Sequence, residues 1–189
     1  MLFEIPYHLI LVLMTDLILF EGSASVLKKE VSVKSISERI NHVGPKNSKI
    51  KDTGNYGLYY DSLGKLTGCI GHLIVDNKSQ FRCTNPKTEE ALKLLEEDVE
   101  KHNQYTLNVL KQHKIDVTKL PENVLVSLLH LGFNIGPTSL NGFKNTLSEI
   151  RKGNYHKAAE NLLKSKWAGQ VGLRRSNYIF YMLKGDDYE

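Results

Sequence analysis

The chain has 189 residues, 41% hydrophobic and 24% charged, enough for one sizeable core and too few for two large independent domains. Its 14 Gly and 5 Pro show no period or tract, which excludes a collagen-like or low-complexity protein, and no internal repeat is present. The net charge of +4 hides an asymmetry: residues 1–25 hold Glu4, Asp16 and Glu21 and no Lys or Arg, leaving 25 basic against 18 acidic residues in the remainder. A basic body suits an anionic partner such as bacterial wall, lipid headgroups or nucleic acid, and charge alone does not choose among them.

Ile5 to Phe20 is a 16-residue, mostly apolar run followed by Glu21-Gly22-Ser23-Ala24-Ser25. It is short for a membrane span, and Pro6, His8 and Asp16 weaken it further, so no stable span is expected. The small residues fit cleavage after about Ala24 or Ser25. Residues 1–25 therefore read as a secretory signal, although the leading Met-Leu-Phe-Glu lacks the usual positive charge. An uncleaved membrane anchor and a buried N-terminal helix remain open. Export makes Cys69 and Cys83 eligible for a disulfide, and closing a loop of about 15 residues stabilises by roughly 3 kcal/mol on the chain-entropy model. Two unpaired, half-buried thiols are the alternative. Asn77-Lys78-Ser79 is a glycosylation sequon, meaningful only in a eukaryotic secretory route.

Val33, Ile36, Ile40 and Val43 give 31–43 the periodicity of a short helix, stopped by Gly44-Pro45. Residues 47–55 are polar and turn-rich. The short apolar pieces from Leu58 to Val75, divided by glycines, predict a β-hairpin or meander. After Asn85-Pro86 the period changes to helical, with Asn85 or Thr88 as cap and Ala91, Leu94, Leu95, Asp98 and Val99 on one stripe reaching toward Leu110. Glu89, Glu90, Glu96 and Glu97 fall on its solvated face. Pro121 opens a helix that is apolar nearly all round and therefore central, ended by Asn134-Ile135-Gly136-Pro137. Helices over 140–151, 155–166 and 173–183 follow, the first and last closed by Gly153 and Gly185. The architecture is α+β: a small β-bearing N-terminal lobe, a connecting helix and an all-helical C-terminal lobe, with a cleft for ligands between unequal lobes.

No metal site is expected, because the histidines are scattered one at a time and the two cysteines lack ligand spacing. No Gly-rich phosphate loop or Ser-His-Asp arrangement is legible, and no cofactor is implied. Lys and Arg are spread without interleaved aromatics, which argues against nucleic acid. Trp167 reads as a core anchor.

Tyr60 to Leu73 reads YDSLGKLTGCIGHL. This resembles the strand-turn-strand signature of phage-type lysozymes (glycoside hydrolase family 24), approximately Y-x-D-x-x-G-x-x-T-x-G-x-G-H. Gly132-Phe133-Asn134-Ile135-Gly136, Gly142-Phe143-Lys144-Asn145-Thr146-Leu147, Ala158-Ala159-Glu160-Asn161-Leu162 and Lys164-Ser165-Lys166-Trp167 follow in that family's order, with Gln170 and Arg174 after them. The resemblance covers roughly Val33 to Gly185 and makes 26–189 a lysozyme-like domain. It implies a two-lobed fold, a secreted monomer, and cleavage of the β-1,4 bond between N-acetylmuramic acid and N-acetylglucosamine in the glycan strands of peptidoglycan.

The family's catalytic pattern is Glu, eight residues, Asp, five residues, Thr. A carboxylic acid of raised pKa protonates the leaving oxygen, and a carboxylate across the sugar activates water or stabilises the oxocarbenium-like centre. The threonine hydroxyl positions that water. Asp61 and Thr67 match the second and third members. The first position falls on Asp52, without the usual apolar and Glu-Gly context. A second register puts Val43 there and needs an insertion of about nine residues before Tyr60. A third possibility brings in Glu38 on an unusual loop. Asp52 would hold its carboxyl one methylene short, and a misplacement of about 1 Å can cost on the order of a hundredfold in rate. Val43 could donate no proton, forfeiting the roughly 10²–10⁴ of general acid catalysis. Two outcomes stay open: a slow muramidase using Asp52, or a catalytically silent peptidoglycan binder. Asp61 and Thr67 also have a plainer reading, because Asp-Ser-Leu-Gly is an ordinary turn sequence.

Cys69 stands where the hairpin signature has Gly. By position in the family, Leu73 and Phe133 line the substrate cleft, and Thr146 and Asn161 reach the glycan. The plainer readings are a core Phe133 and a solvated Asn161. His72, in the Gly-His position, is expected to pair with Asp98.

Overall fold

The computed structural model describes residues 4–22, 58–60, 65–84 and 88–185. The expected helix at 31–43 and the turn-rich stretch at 47–55 lie outside these residues. The fold is mostly helical with one small antiparallel sheet, which makes it α+β. The chain separates into two units, Met14–Val99 and Met1–Leu13 with Glu100–Glu189.

The smaller unit is organised around three short strands. β1 (Tyr59–Tyr60), β2 (Leu66–Gly68) and β3 (His72–Leu73) form an antiparallel sheet in the order β1-β2-β3. Thr67 lies opposite Tyr59 on one side and Leu73 on the other. The expected meander is therefore present. The turn from β2 to β3 contains two residues in the left-handed region, Cys69 (φ 48°) and Gly71 (φ 70°). Glycine adopts that region without penalty, and a side chain at Cys69 makes it costly there.

A helix that the apolar pattern does not announce follows β3: α2, Asn77–Thr84. Asp76 explains its start, because its Oδ1 accepts from the Ser79 backbone N–H at 2.6 Å. Such a bond satisfies one of the donors left over in a first helical turn, and it holds the Asp76 carboxyl below its ordinary pKa. The buried Cys83 anchors α2, whereas Phe81 is exposed. α3 (Thr88–Gln112) then runs for 25 residues and passes from one unit into the other between Val99 and Glu100. Ala91, Leu94, Leu95 and Val99 are buried and Glu89, Glu90, Glu96 and Glu97 exposed, as the stripe requires.

The larger unit is helical throughout. A short 3-10 turn, Val117–Lys119, is capped by Asp116, whose Oδ1 accepts from both the backbone N–H and the hydroxyl of Thr118. α4 (Glu122–Asn141) is buried on every side over Val124–Phe133 and sits at the centre. Gly136 breaks its helical course with φ 78°, ψ 169°, and Pro137 follows, which is the interruption expected there. One further helical turn then carries Leu140 into the core.

α5 (Lys144–Arg151), α6 (Tyr155–Leu163), α7 (Lys166–Val171) and α8 (Leu173–Lys184) follow; α8 packs against α4, α6 and α7, and α6 packs against α5. Leu128, Leu131, Leu147, Ile150, Leu162 and Ile179 are among the residues of their shared core. The expected helix 155–166 ends at Leu163, and a further helix, α7, stands before α8. Ser165 turns extended (φ −77°, ψ 159°) and its hydroxyl donates back to the Leu162 carbonyl, so α7 starts afresh at Lys166. α8 ends at Gly185 in the left-handed conformation (φ 93°), its N–H donating to the carbonyls of Tyr181 and Met182.

At the N-terminus, α1 (Tyr7–Gly22) is a 16-residue helix. Leu9, Leu13 and Leu17, four residues apart, are buried, and His8 Nε2 lies 3.0 Å from Glu122 Oε1. No helix of the described residues is long and apolar enough to cross a membrane.

Candidate active site

Strand β2 delivers the threonine. Thr67 is buried between β1 and β3, and its hydroxyl donates to the Lys65 carbonyl at 3.1 Å. With the proton engaged, Oγ1 keeps its lone pairs for accepting from another donor, such as a water. Leu73, directly opposite on β3, shares Thr67's face of the sheet and is 45% exposed, so this face has an apolar, accessible edge. Asp52 and Asp61, the two carboxylates expected to complete the site, lie outside the described residues, as do Glu38 and Val43.

Two cross-links hold the hairpin end in place. His72 Nδ1 lies 2.7 Å from Asp98 Oδ2, with both side chains less than a fifth exposed. This is the pairing expected from the Gly-His position, and it ties β3 to α3. Cys69 and Cys83 form a disulfide with Cα atoms 5.0 Å apart, tying the β2–β3 turn to α2. Gly68 fits tightly beside it: a Cβ there would meet Cys83 Cβ at 2.5 Å and Leu58 Cδ2 at 2.8 Å. A pocket of about 470 Å³ borders the disulfide. On its rim Arg82 donates to Glu97 at 3.3 Å.

The other expected binding residues belong to the helical unit. Phe133 is buried with its ring 5.1 Å from that of His102. Thr146 is buried on α5, and Asn161 is half-buried on α6. Next to Phe133, Asn134 Oδ1 accepts from Trp167 Nε1 at 2.6 Å, joining α4 to α7. That bond gives the buried indole its partner, and the residue type at 134 alone did not reveal it.

A second unforeseen pair is His130 and Arg175. Arg175 Nη2 lies 3.4 Å from His130 Nε2, inside the helical unit. His130 is fully buried, and burial, with the Arg175 charge second, pushes its pKa well below 6.5. It is neutral at pH 7, so Nε2 accepts and Nδ1 carries the proton. Among the described residues no group of three or more His, Cys, Asp or Glu could hold a metal ion.

The phage lysozyme family model matches residues 52–177, and the chain belongs to that family. Its function is accordingly lysozyme-like, directed at peptidoglycan. No curated protein matches it.

Proposed function

We propose that the protein is an exported muramidase that hydrolyses the β-1,4 bond between N-acetylmuramic acid and N-acetylglucosamine. The observation that carries this reading is the extent of the family match. It opens at residue 52, so it takes in Asp52, Asp61 and Thr67 with their eight- and five-residue spacing and leaves Val43 and Glu38 outside. In this reading Asp52 is the general acid that protonates the leaving oxygen. Asp61 activates water or stabilises the oxocarbenium-like centre, and Thr67 accepts a hydrogen bond from that water. Leu73, Phe133, Thr146 and Asn161 hold the glycan. Turnover is slow, because the acid is one methylene shorter than the family's Glu.

Export follows from residues 1–25 acting as a signal, leaving 26–189 as the secreted domain, and the Cys69–Cys83 bond suits an oxidising compartment. The domain acts as a monomer. Retention of α1, as an anchor or as a packed helix with Leu9, Leu13 and Leu17 buried, is the alternative, distinguished by the N-terminal sequence of the mature protein.

Purified protein incubated with murein should release reducing ends, and Asp61→Ala and Asp52→Ala should stop it. One observation favours a second reading, a silent peptidoglycan binder: the position separated from Asp61 by eight residues holds Asp52 and not Glu. Sedimentation with insoluble peptidoglycan and no reducing ends, even at high protein concentration, would establish that reading and end the first.

A further inference from the structure

We infer that the Cys69–Cys83 disulfide is a positioning device for Thr67: it holds in place a left-handed turn that glycine would form unaided. Three observations converge on this. Cys69 has φ 48°, a conformation that side chains disfavour. It stands two residues after Thr67, where β2 turns toward β3. Its partner Cys83 sits on α2 and packs against Gly68, the one residue between Thr67 and Cys69. The cross-link thus fixes the turn from outside the sheet, and with it the end of the strand that carries the threonine hydroxyl. A chain with Cys at 69 needs the bond to form this turn, and a chain with Gly does not. The hairpin is therefore sensitive to reduction.

Dithiothreitol reduces the disulfide with two electrons and two protons, giving two thiols while the reagent closes to its own cyclic disulfide. The experiment measures amide hydrogen exchange over residues 66–73 in the full chain, with and without dithiothreitol, for the wild type, Cys83→Ser and Cys69→Gly. Exchange in the wild type should accelerate about tenfold on reduction, the size expected when a non-glycine residue must hold the left-handed region alone. Cys83→Ser should exchange fast in either condition. Cys69→Gly, which also lacks the bond, should stay as slow as the oxidised wild type and ignore the reductant. Unchanged exchange in the reduced wild type, or Cys69→Gly exchanging as fast as Cys83→Ser, overturns the inference.

The effect on lysis rests on the muramidase reading. Reducing-end release should fall roughly tenfold or more in reduced wild type and in Cys83→Ser, and be rescued in Cys69→Gly. If no form releases reducing ends, the muramidase reading fails, while the exchange data still decide the role of the disulfide.

Discussion

Gly132 on α4 and Thr106 on α3 lie so close that a Cβ on the glycine would fall 1.9 Å from the threonine Oγ1. Thr106 is itself 1% exposed and has nowhere to retreat. Gly132→Ala should therefore destabilise the helical unit by about 2–3 kcal/mol through overpacking. The double variant with Thr106→Ala should recover much of the loss, and urea denaturation of all three proteins measures the coupling. Additive losses would show that the two helices tolerate the extra methyl elsewhere.

Gly136 offers the contrast. Its φ of 78° is left-handed, and a Cβ there would meet nothing within 4 Å. With ψ 169° it lies in an extended region that only glycine adopts readily, so Gly136→Ala should cost the conformational penalty alone, about 1–3 kcal/mol. Thr106→Ala should do nothing to relieve it.

The hydrogen bond from Trp167 to Asn134 should be worth about 1 kcal/mol, more if its removal leaves the indole N–H unsatisfied. Trp167→Phe and Asn134→Ala each lower the denaturation midpoint. The double variant should lose less than the sum of the two, and strict additivity would deny the bond any coupling.

His130 gives the helical unit a predictable response to acid. Its folded pKa lies well below the 6.5 of the exposed ring, from burial first and Arg175 second. Below pH 6.5 the unfolded chain takes up a proton at this site that the folded chain refuses. Stability contributed by the neutral ring is thus complete above pH 6.5 and lost as the pH falls, by at most about 1.4 kcal/mol per pH unit. The melting temperature of the wild type should drop more steeply from pH 6.5 to 4.5 than that of His130→Gln. Parallel curves would mean that the ring is protonated in the folded state.

Two glutamate substitutions discriminate the possible positions of the catalytic acid. Asp52→Glu should raise the rate of reducing-end release on the order of a hundredfold if Asp52 occupies the site one methylene short. Val43→Glu should change nothing. The reverse outcome would put Val43 at that position and make the natural chain inert.

Local rules of sequence account for much of this fold. The meander, the stripe on α3, the buried α4 and its break at Gly136 all follow from apolar period and turn residues. α2 stayed hidden because its apolar residues are few, and its signal lies in the Asp76 cap three residues before Ser79. α7 stayed hidden because it has only six residues, of which two, Trp167 and Ala168, are buried, too few to set a period. The His72–Asp98 pair was legible from the Gly-His position of the hairpin signature and the place of Asp98 on the helix. Cys69 was legible only as a departure from that signature, and its meaning needed the backbone angle. The His130–Arg175 pair was not legible, because it joins residues 45 positions apart with no pattern linking them.

The chain contains a single tryptophan, and its indole is held in the helical unit by Asn134. Intrinsic emission excited at long ultraviolet wavelengths therefore reports on the helical unit that holds it.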